Sequence, residues 1–348
     1  MAVRFATAPA PHVIAGYSVR GVMLQVLFAL LPVCAAHVAV FGPGLLLQLA
    51  VACPTALLCE AAALRLRQRD GGPFLRDGSV LVTAVLLAMC VTPLLPWWLT
   101  AAGTATAVLL GKHVYGGLGQ NPFNPAMVGY AVLLVSCPAE MTRWPVPLGA
   151  GSHTWSDLAA LTIHAVYAGT ANLAPAWDAY TGATALDALR TGLGQRYTMQ
   201  EVTALPAFGA FGGAGFQWIN GAALLGGIFL LMRGIVRWQI PAAFLAGLLL
   251  PAFVANVIDP GTNAGPLFHA FAGATMLGAF FIATDPVSAA TSDRGRLVYG
   301  AGMGLLTWII RRWGNYPDGV AFAVLLMNLA VPLIDRHTVP RIHGHPRR

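Results

Sequence analysis

Gly21-Val22-Met23-Leu24-Gln25-Val26-Leu27-Phe28-Ala29-Leu30-Leu31-Pro32-Val33-Cys34-Ala35-Ala36-His37-Val38-Ala39-Val40-Phe41 contains no charged residue. Its 21 residues match the roughly 20 apolar residues needed to cross a bilayer as a helix. Met1 to Arg20 lacks an apolar core followed by a small-residue cleavage site, so the run is read as a span rather than a removable leader. The rest of the chain repeats the pattern. Of its 348 residues, 57% are hydrophobic and 9% are charged, against about 25% charged in a soluble domain. The fold class is therefore an all-α integral membrane protein.

Ten spans are predicted, near 21–41, 44–64, 79–94, 97–111, 126–139, 218–235, 240–258, 267–284, 297–310 and 319–335. Gly and Pro recur inside them, as where membrane helices pack closely or break. An internal repeat divides them. Val91-Thr92-Pro93 after the third span answers to Ala283-Thr284-Asp285-Pro286 after the eighth, and Gly119-Gln120-Asn121-Pro122 before the fifth to Gly314-Asn315-Tyr316-Pro317 before the tenth. Two halves of five spans have opposite orientation, the inverted-repeat plan of many transporters. The expected segments are a cytoplasmic 1–20, a first repeat 21–139, an extracytoplasmic loop 140–217, a second repeat 218–335 and a cytoplasmic tail 336–348.

Charge orients this plan. With both termini inside, fifteen of the 20 lysines and arginines fall on the inner side, leaving Arg143, Arg190, Arg196, Arg311 and Arg312 outside. The net charge of +7 is scattered between apolar runs, which does not suggest nucleic acid. Cys34, Cys53, Cys59, Cys90 and Cys137 all fall in apolar runs without Cys-x-x-Cys spacing, so they read as small buried hydrophobes. Trp97, Trp98, Trp144, Trp155, Trp218 and Trp238 sit at span ends, as an aromatic belt would.

Three stretches carry the candidate chemistry. In the long loop, Asp178-Ala179-Tyr180-Thr181-Gly182-Ala183-Thr184-Ala185-Leu186 presents a threonine on backbone with little side-chain bulk. A hydroxyl is a weak nucleophile without an activating base, and no His-Asp pair lies nearby, so Thr184 reads as an acceptor of chemistry done by another protein. The alternative is an ordinary helix start, with Thr181 or Thr184 as cap. The second stretch, Tyr115 to Pro125, has three glycines and two Asn-Pro steps that cannot continue a helix. Lys112 and the carboxamides of Gln120, Asn121 and Asn124 could serve the polar edge of a flavin or a phosphate; the alternative is a tight re-entrant turn with Asn caps. Third, ionisable residues within spans are functional candidates. Glu60 is the clearest, as an ion-pathway residue or a partner of Arg65 or Arg67. His37 and His269 have no partner at ligand spacing and read as helix-packing hydrogen bonders.

Asp-x-x-Thr-Gly-Ala-Thr resembles the site at which a flavin transferase attaches FMN through a phosphodiester to the last threonine. It occurs in membrane flavoprotein subunits of two related ion pumps: the D subunits of Rnf (ferredoxin:NAD oxidoreductase) complexes and the B subunits of sodium-pumping NADH:quinone reductases. Tyr115 to Pro125, Phe281 to Ser288, Asn315 to Phe322 and Val331-Pro332-Leu333-Ile334-Asp335 are similar to the Rnf D segments, and the resemblance runs from about Arg20 to His345. The quinone-reductase subunit is expected to carry a longer N-terminal extension, which favours Rnf.

The resemblance implies covalent FMN on Thr184, with Asp178, Thr181, Gly182, Ala183 and Leu186 as its motif. It also implies a non-covalent riboflavin within the helices, with Asn121, Asn124, Thr284, Asp285 and Asp318 as candidates by position; capping and turn formation is their ordinary role. The implied activity is electron relay across a bacterial inner membrane between ferredoxin and NAD, coupled to Na+ or H+ translocation. The implied partners are a flavin-bearing G subunit, iron–sulfur-bearing A/E, B and C subunits, the flavin transferase and membrane lipid. No nucleotide-binding fold and no iron–sulfur spacing is present, so the chain would not catalyse the overall reaction alone. Two other classes stay open: a permease or channel for a small polar solute, and a structural anchor without flavin.

Overall fold

Ser18 opens the first helix, its hydroxyl accepting the Gly21 amide at 3.1 Å. From there the computed structural model describes residues 18–151, 153–168 and 180–338. Helices α1 (Val19–Phe41), α2 (Gly44–Leu66), α3 (Ser79–Cys90), α4 (Trp97–Thr106) and α5 (Pro125–Ser136) form the first half. α4 runs on to His113 as a π-helical turn, Ala107–His113. After the loop, whose longer described helices are α6 (Trp155–Ala168) and α7 (Ala185–Gly194), come α8 (Phe216–Met232), α9 (Gln239–Ile258), α10 (Pro266–Phe271), α11 (Thr275–Leu277, continued by a π turn Gly278–Ile282), α12 (Asp293–Trp313) and α13 (Val320–Thr338).

Helical segments thus fall at all ten predicted spans, with corrections. The eighth is broken in two at 272–274, and the third ends at Cys90 rather than 94. Among the described residues five helices are long and apolar enough to cross a membrane: Val19–Phe41, Gly44–Leu66, Gly71–Cys90, Gln239–Ile258 and Val320–Thr338. The chain is a multi-pass membrane protein.

Packing in the second half follows that in the first. α2 packs on α3 and α4, as α9 packs on α10 and α12, and α1 meets α8 where the halves join. Small residues permit this closeness. A Cβ at Gly226 would meet the Ala29 carbonyl, and Cβ atoms at Gly300 and Gly304 would meet the backbone of α9. The breaks inside the bundle are stitched by buried amides, because free backbone groups there must find protein partners. Gln48 Nε2 donates to the carbonyls of Leu95 (2.7 Å) and Pro93 (3.2 Å) between α3 and α4. Asn220 donates to the Gly273 carbonyl (2.8 Å) and accepts from the Met276 amide (2.8 Å), spanning the break before α11.

Candidate functional site

The motif around Thr184 is built from a two-residue ribbon and a helix cap. β1 (Trp144–Pro145) and β2 (Thr181–Gly182) pair antiparallel, Trp144 opposite Gly182 and Pro145 opposite Thr181. Gly182 has no unusual dihedral, and a Cβ there would lie 3.0 Å from Val146 Cγ2, a tight contact with a side chain. Thr184 then caps α7: its Oγ1 accepts from the Asp187 amide (3.3 Å) and donates to Asp187 Oδ2 (2.8 Å). The helix-start alternative is thus the observed local structure, with Thr184 half-buried beside the exposed Ala183. Asp178 lies outside the described residues.

Asp187 and Arg190 were not anticipated. Asp187 Oδ1 lies 2.9 Å from Arg190 Nη2, and Arg190 Nη1 donates to the carbonyls of Tyr316 (3.0 Å) and Gly314 (3.3 Å). Burial pushes the Asp187 carboxyl above its ordinary range, against the pull of the Thr184 hydroxyl and the Arg190 guanidinium. The i, i+3 spacing from Thr184 to Asp187 is visible in the sequence as a capping pattern, but its burial is not.

Thr184, Ala185 and Leu186 line a cavity together with His37, Tyr130, Trp144, Phe216 and Asp318. Trp144 and Phe216 give it an aromatic wall with ring centroids 5.3 Å apart, and the buried Phe41 packs against them at 5.6 and 5.3 Å. Trp144 is thus a cavity residue rather than part of an aromatic belt, whereas Trp97, Trp98, Trp155, Trp218 and Trp238 are exposed at helix ends. His37 is no packing hydrogen bonder: it is buried with neither ring nitrogen partnered.

A second cavity lies at the other end of α1, about 21 Å along its axis from Met23 to His37. Lys112, Asn121, Asn124, Thr284 and Asp285, five of the residues picked from sequence, line it with Phe280 and Phe281. Each of the four non-lysine members also makes a local bond. Asn124 Oδ1 caps α5 through the Met127 amide (3.3 Å), while its Nδ2 donates to the Ile282 carbonyl (3.2 Å). Asn121 Nδ2 donates to the Phe123 carbonyl (3.0 Å), Thr284 Oγ1 to the Phe280 carbonyl (2.7 Å), and Asp285 Oδ2 accepts from Ser288 Oγ (3.0 Å).

Gln120 and Asp318 are not in this group. Gln120 is exposed and folds over Gly116, where φ of +133° and +98° at Gly116 and Gly117 makes the reverse turn that only glycine adopts readily. Asp318 belongs to the first cavity, where Arg311 Nε holds it at 2.9 Å. The two cavities come within one helical turn of each other. Leu86 lines one and Met89 the other on α3, and Phe281 and Ile282 do the same at the end of α11.

Glu60 is buried on α2, and its partners are not Arg65 or Arg67. Lys112 Nζ lies 2.9 Å from Oε1, and His113 Nε2 lies 2.9 Å from Oε2. Both come from the π turn, which brings two consecutive side chains to one carboxylate. Lys112 Nζ also donates to Ser79 Oγ (3.1 Å), so the cluster adjoins the second cavity's wall, which Ser79 and Lys112 share. Arg67 instead donates to the His113 carbonyl (3.2 Å). The five cysteines are free and half-buried rather than fully buried.

The described residues fit a flavin at each place. The first cavity places Thr184 beside an aromatic, mostly apolar wall with the unpartnered ring nitrogens of His37, and the second brings the Glu60-paired Lys112 and two carboxamides together with two phenylalanines.

Residues 6–344 match the model of the NQR2, RnfD, RnfE family. A protein of Pseudomonas aeruginosa, named as the D subunit of an ion-translocating oxidoreductase complex, is 52% identical over 340 residues, covering 96% of this chain and 94% of its own. Proteins of the same name from Vibrio cholerae serotype O1 and Aliivibrio salmonicida are 48% and 47% identical, covering 98% and 99% of this chain and 99% of each relative. With an all-helical membrane bundle and a match of this length, the chain belongs to the NQR2, RnfD, RnfE family.

Proposed function

We propose that this chain is the flavin-carrying membrane subunit of an Rnf-type ion-translocating oxidoreductase complex. It relays electrons between ferredoxin-linked and NAD-linked partner subunits and is not catalytic alone. FMN is held on Thr184 by a phosphodiester installed by a flavin transferase, and a riboflavin occupies the cavity of Lys112, Asn121, Asn124, Thr284 and Asp285. The flavins supply the redox chemistry; the protein supplies attachment, spacing and electrostatics. Thr184 offers its oxygen from a helix N-terminus, where partial positive charge suits a phosphate. Lys112 sets a positive charge at one edge of the second cavity. Glu60 is the candidate for the path of Na+ or H+, and the positive-inside bias orients both termini to the cytoplasm and Thr184 to the periplasm of a bacterial inner membrane.

One observation carries this reading. Thr184 opens onto an aromatic cavity, and five polar residues from both halves of the chain converge on a second one at the other end of the bundle. Mass spectrometry of the peptide containing Thr184 in the native complex tests it, with ultraviolet fluorescence of the band on a denaturing gel. The expected result is the added mass of an esterified FMN, lost in Thr184→Ala while the chain still inserts. A bare Thr184 in the native complex sinks the proposal.

A further inference from the structure

The wall of the Thr184 cavity holds a buried polar group with nothing to bond. His37 is 2% exposed, and neither Nδ1 nor Nε2 has a hydrogen-bond partner. Two other polar side chains of the wall, Asn220 and Asp318, are committed. Asn220 is occupied by the Phe216 and Gly273 carbonyls and the Met276 amide. Asp318 is held by Arg311 and by the Ala274 and Gly319 amides. An unpartnered buried group is costly, and native proteins keep few of them without a reason.

The surroundings say what would complete His37. Its ring lies 5.2 Å from Phe41, which continues into the Trp144 and Phe216 wall. No lysine or arginine among the described residues lines this cavity. Inside the cavity, away from the N-terminus of α7 at Thr184, that setting suits a flat, uncharged, aromatic ring with a polar edge. A neutral imidazole carries one N–H donor and one bare nitrogen acceptor. The pyrimidine edge of an isoalloxazine presents carbonyl acceptors beside an N–H donor, so it can answer either nitrogen.

We infer that His37 is a cofactor-binding residue that hydrogen-bonds the polar edge of the flavin ring carried by Thr184 and thereby sets its reduction equilibrium. This rests on the Thr184 reading above and adds a partner from a helix distant in sequence. α1 thus contributes directly to the redox site rather than only to the bundle.

The test compares His37→Leu and His37→Gln in the intact complex, each with Thr184 and with Thr184→Ala. Spectroelectrochemical titration of the Thr184-linked flavin is expected to show an approximately tenfold change in its reduction equilibrium for His37→Leu, the effect of about one hydrogen bond. His37→Gln, which keeps a donor and an acceptor, restores most of it. In the Thr184→Ala background, thermal unfolding should show His37→Leu to be stabilising, because an unsatisfied buried group is removed. An unchanged equilibrium in fluorescent, labelled His37→Leu overturns the inference, and so does equal destabilisation by His37→Leu in both backgrounds, which marks a packing role. Absence of the fluorescent label with His37 intact overturns the Thr184 reading instead.

Discussion

Lys112 Nζ lies 2.9 Å from Glu60 Oε1, with the two side chains 3% and 1% exposed. Charges so far from water depend on each other, and removing Lys112 leaves the buried Glu60 with only His113 beside it. Lys112→Met is expected to destabilise the chain by about 3–5 kcal/mol, read as thermal unfolding in detergent. Lys112→Met combined with Glu60→Leu should recover most of that loss. If the double variant is as unstable as the single one, the coupling is wrong.

Arg311 clamps the break in the eighth span. Its Nε meets Asp318 Oδ1 at 2.9 Å, and its two terminal nitrogens reach the carbonyls of His269 (3.0 Å) and Ala272 (3.2 Å) and the Thr275 hydroxyl (2.9 Å). A lysine carries the charge but not the planar fork. Arg311→Lys should cost at least about 2 kcal/mol, since buried acceptors lose their donor. Hydrogen exchange in peptides covering 266–282 should accelerate; protection equal to the parent chain refutes the clamp.

Gly304 lies where α12 touches α9, and a Cβ there would overlap the Phe244 carbonyl. Gly304→Val is expected to push the helices apart and cost several kcal/mol, beyond the roughly 1–3 of ordinary overpacking, because the obstruction is backbone. Leu305→Val, on an exposed neighbour, is the control. Comparable melting of both variants would argue against a tight seam.

Asp187 gives the Thr184 loop a pH dependence. Its native pKa is raised above 3.8, so across that window the folded loop binds more protons than the unfolded one. Its contribution to stability is therefore full at or below 3.8 and is lost as pH rises through the raised native value. The exposed caps Asp157 and Glu201 behave oppositely. Their pKa values are lowered by bonds from Thr154 and Thr198, so their contribution is full above the ordinary values and lost as pH falls. Asp187→Asn should flatten the pH slope of hydrogen exchange in Ala185–Gly194, and an unchanged slope would refute the assignment.

The spans were legible because lipid demands long apolar runs, and the Asn-Pro and Thr-Asp-Pro breaks because proline and glycine end helices locally. The second cavity was legible by position: Asn121, Asn124, Thr284 and Asp285 flank the interruptions of the two repeats. Glu60 was visible as an intramembrane acid, but its partner was not. Lys112 stands 52 residues away, and Arg65 and Arg67 are nearer in sequence. What selects Lys112 is the π turn, which has no clear local signature. Likewise nothing in the sequence links His37 to Thr184, because only the α1–α8 contact and the β ribbon bring Phe41, Phe216 and Trp144 together.

Ile282 lines one cavity and its neighbour Phe281 the other, so the residues between the two there are hydrocarbon. Tunnelling tolerates such an insulator. A hydrated cation does not, since shedding its water there brings no compensating ligand. On the proposed electron-relay function, the wiring would stay apart from the plumbing: electrons would cross this oily septum, while a cation would need another road, for which Glu60 is the candidate.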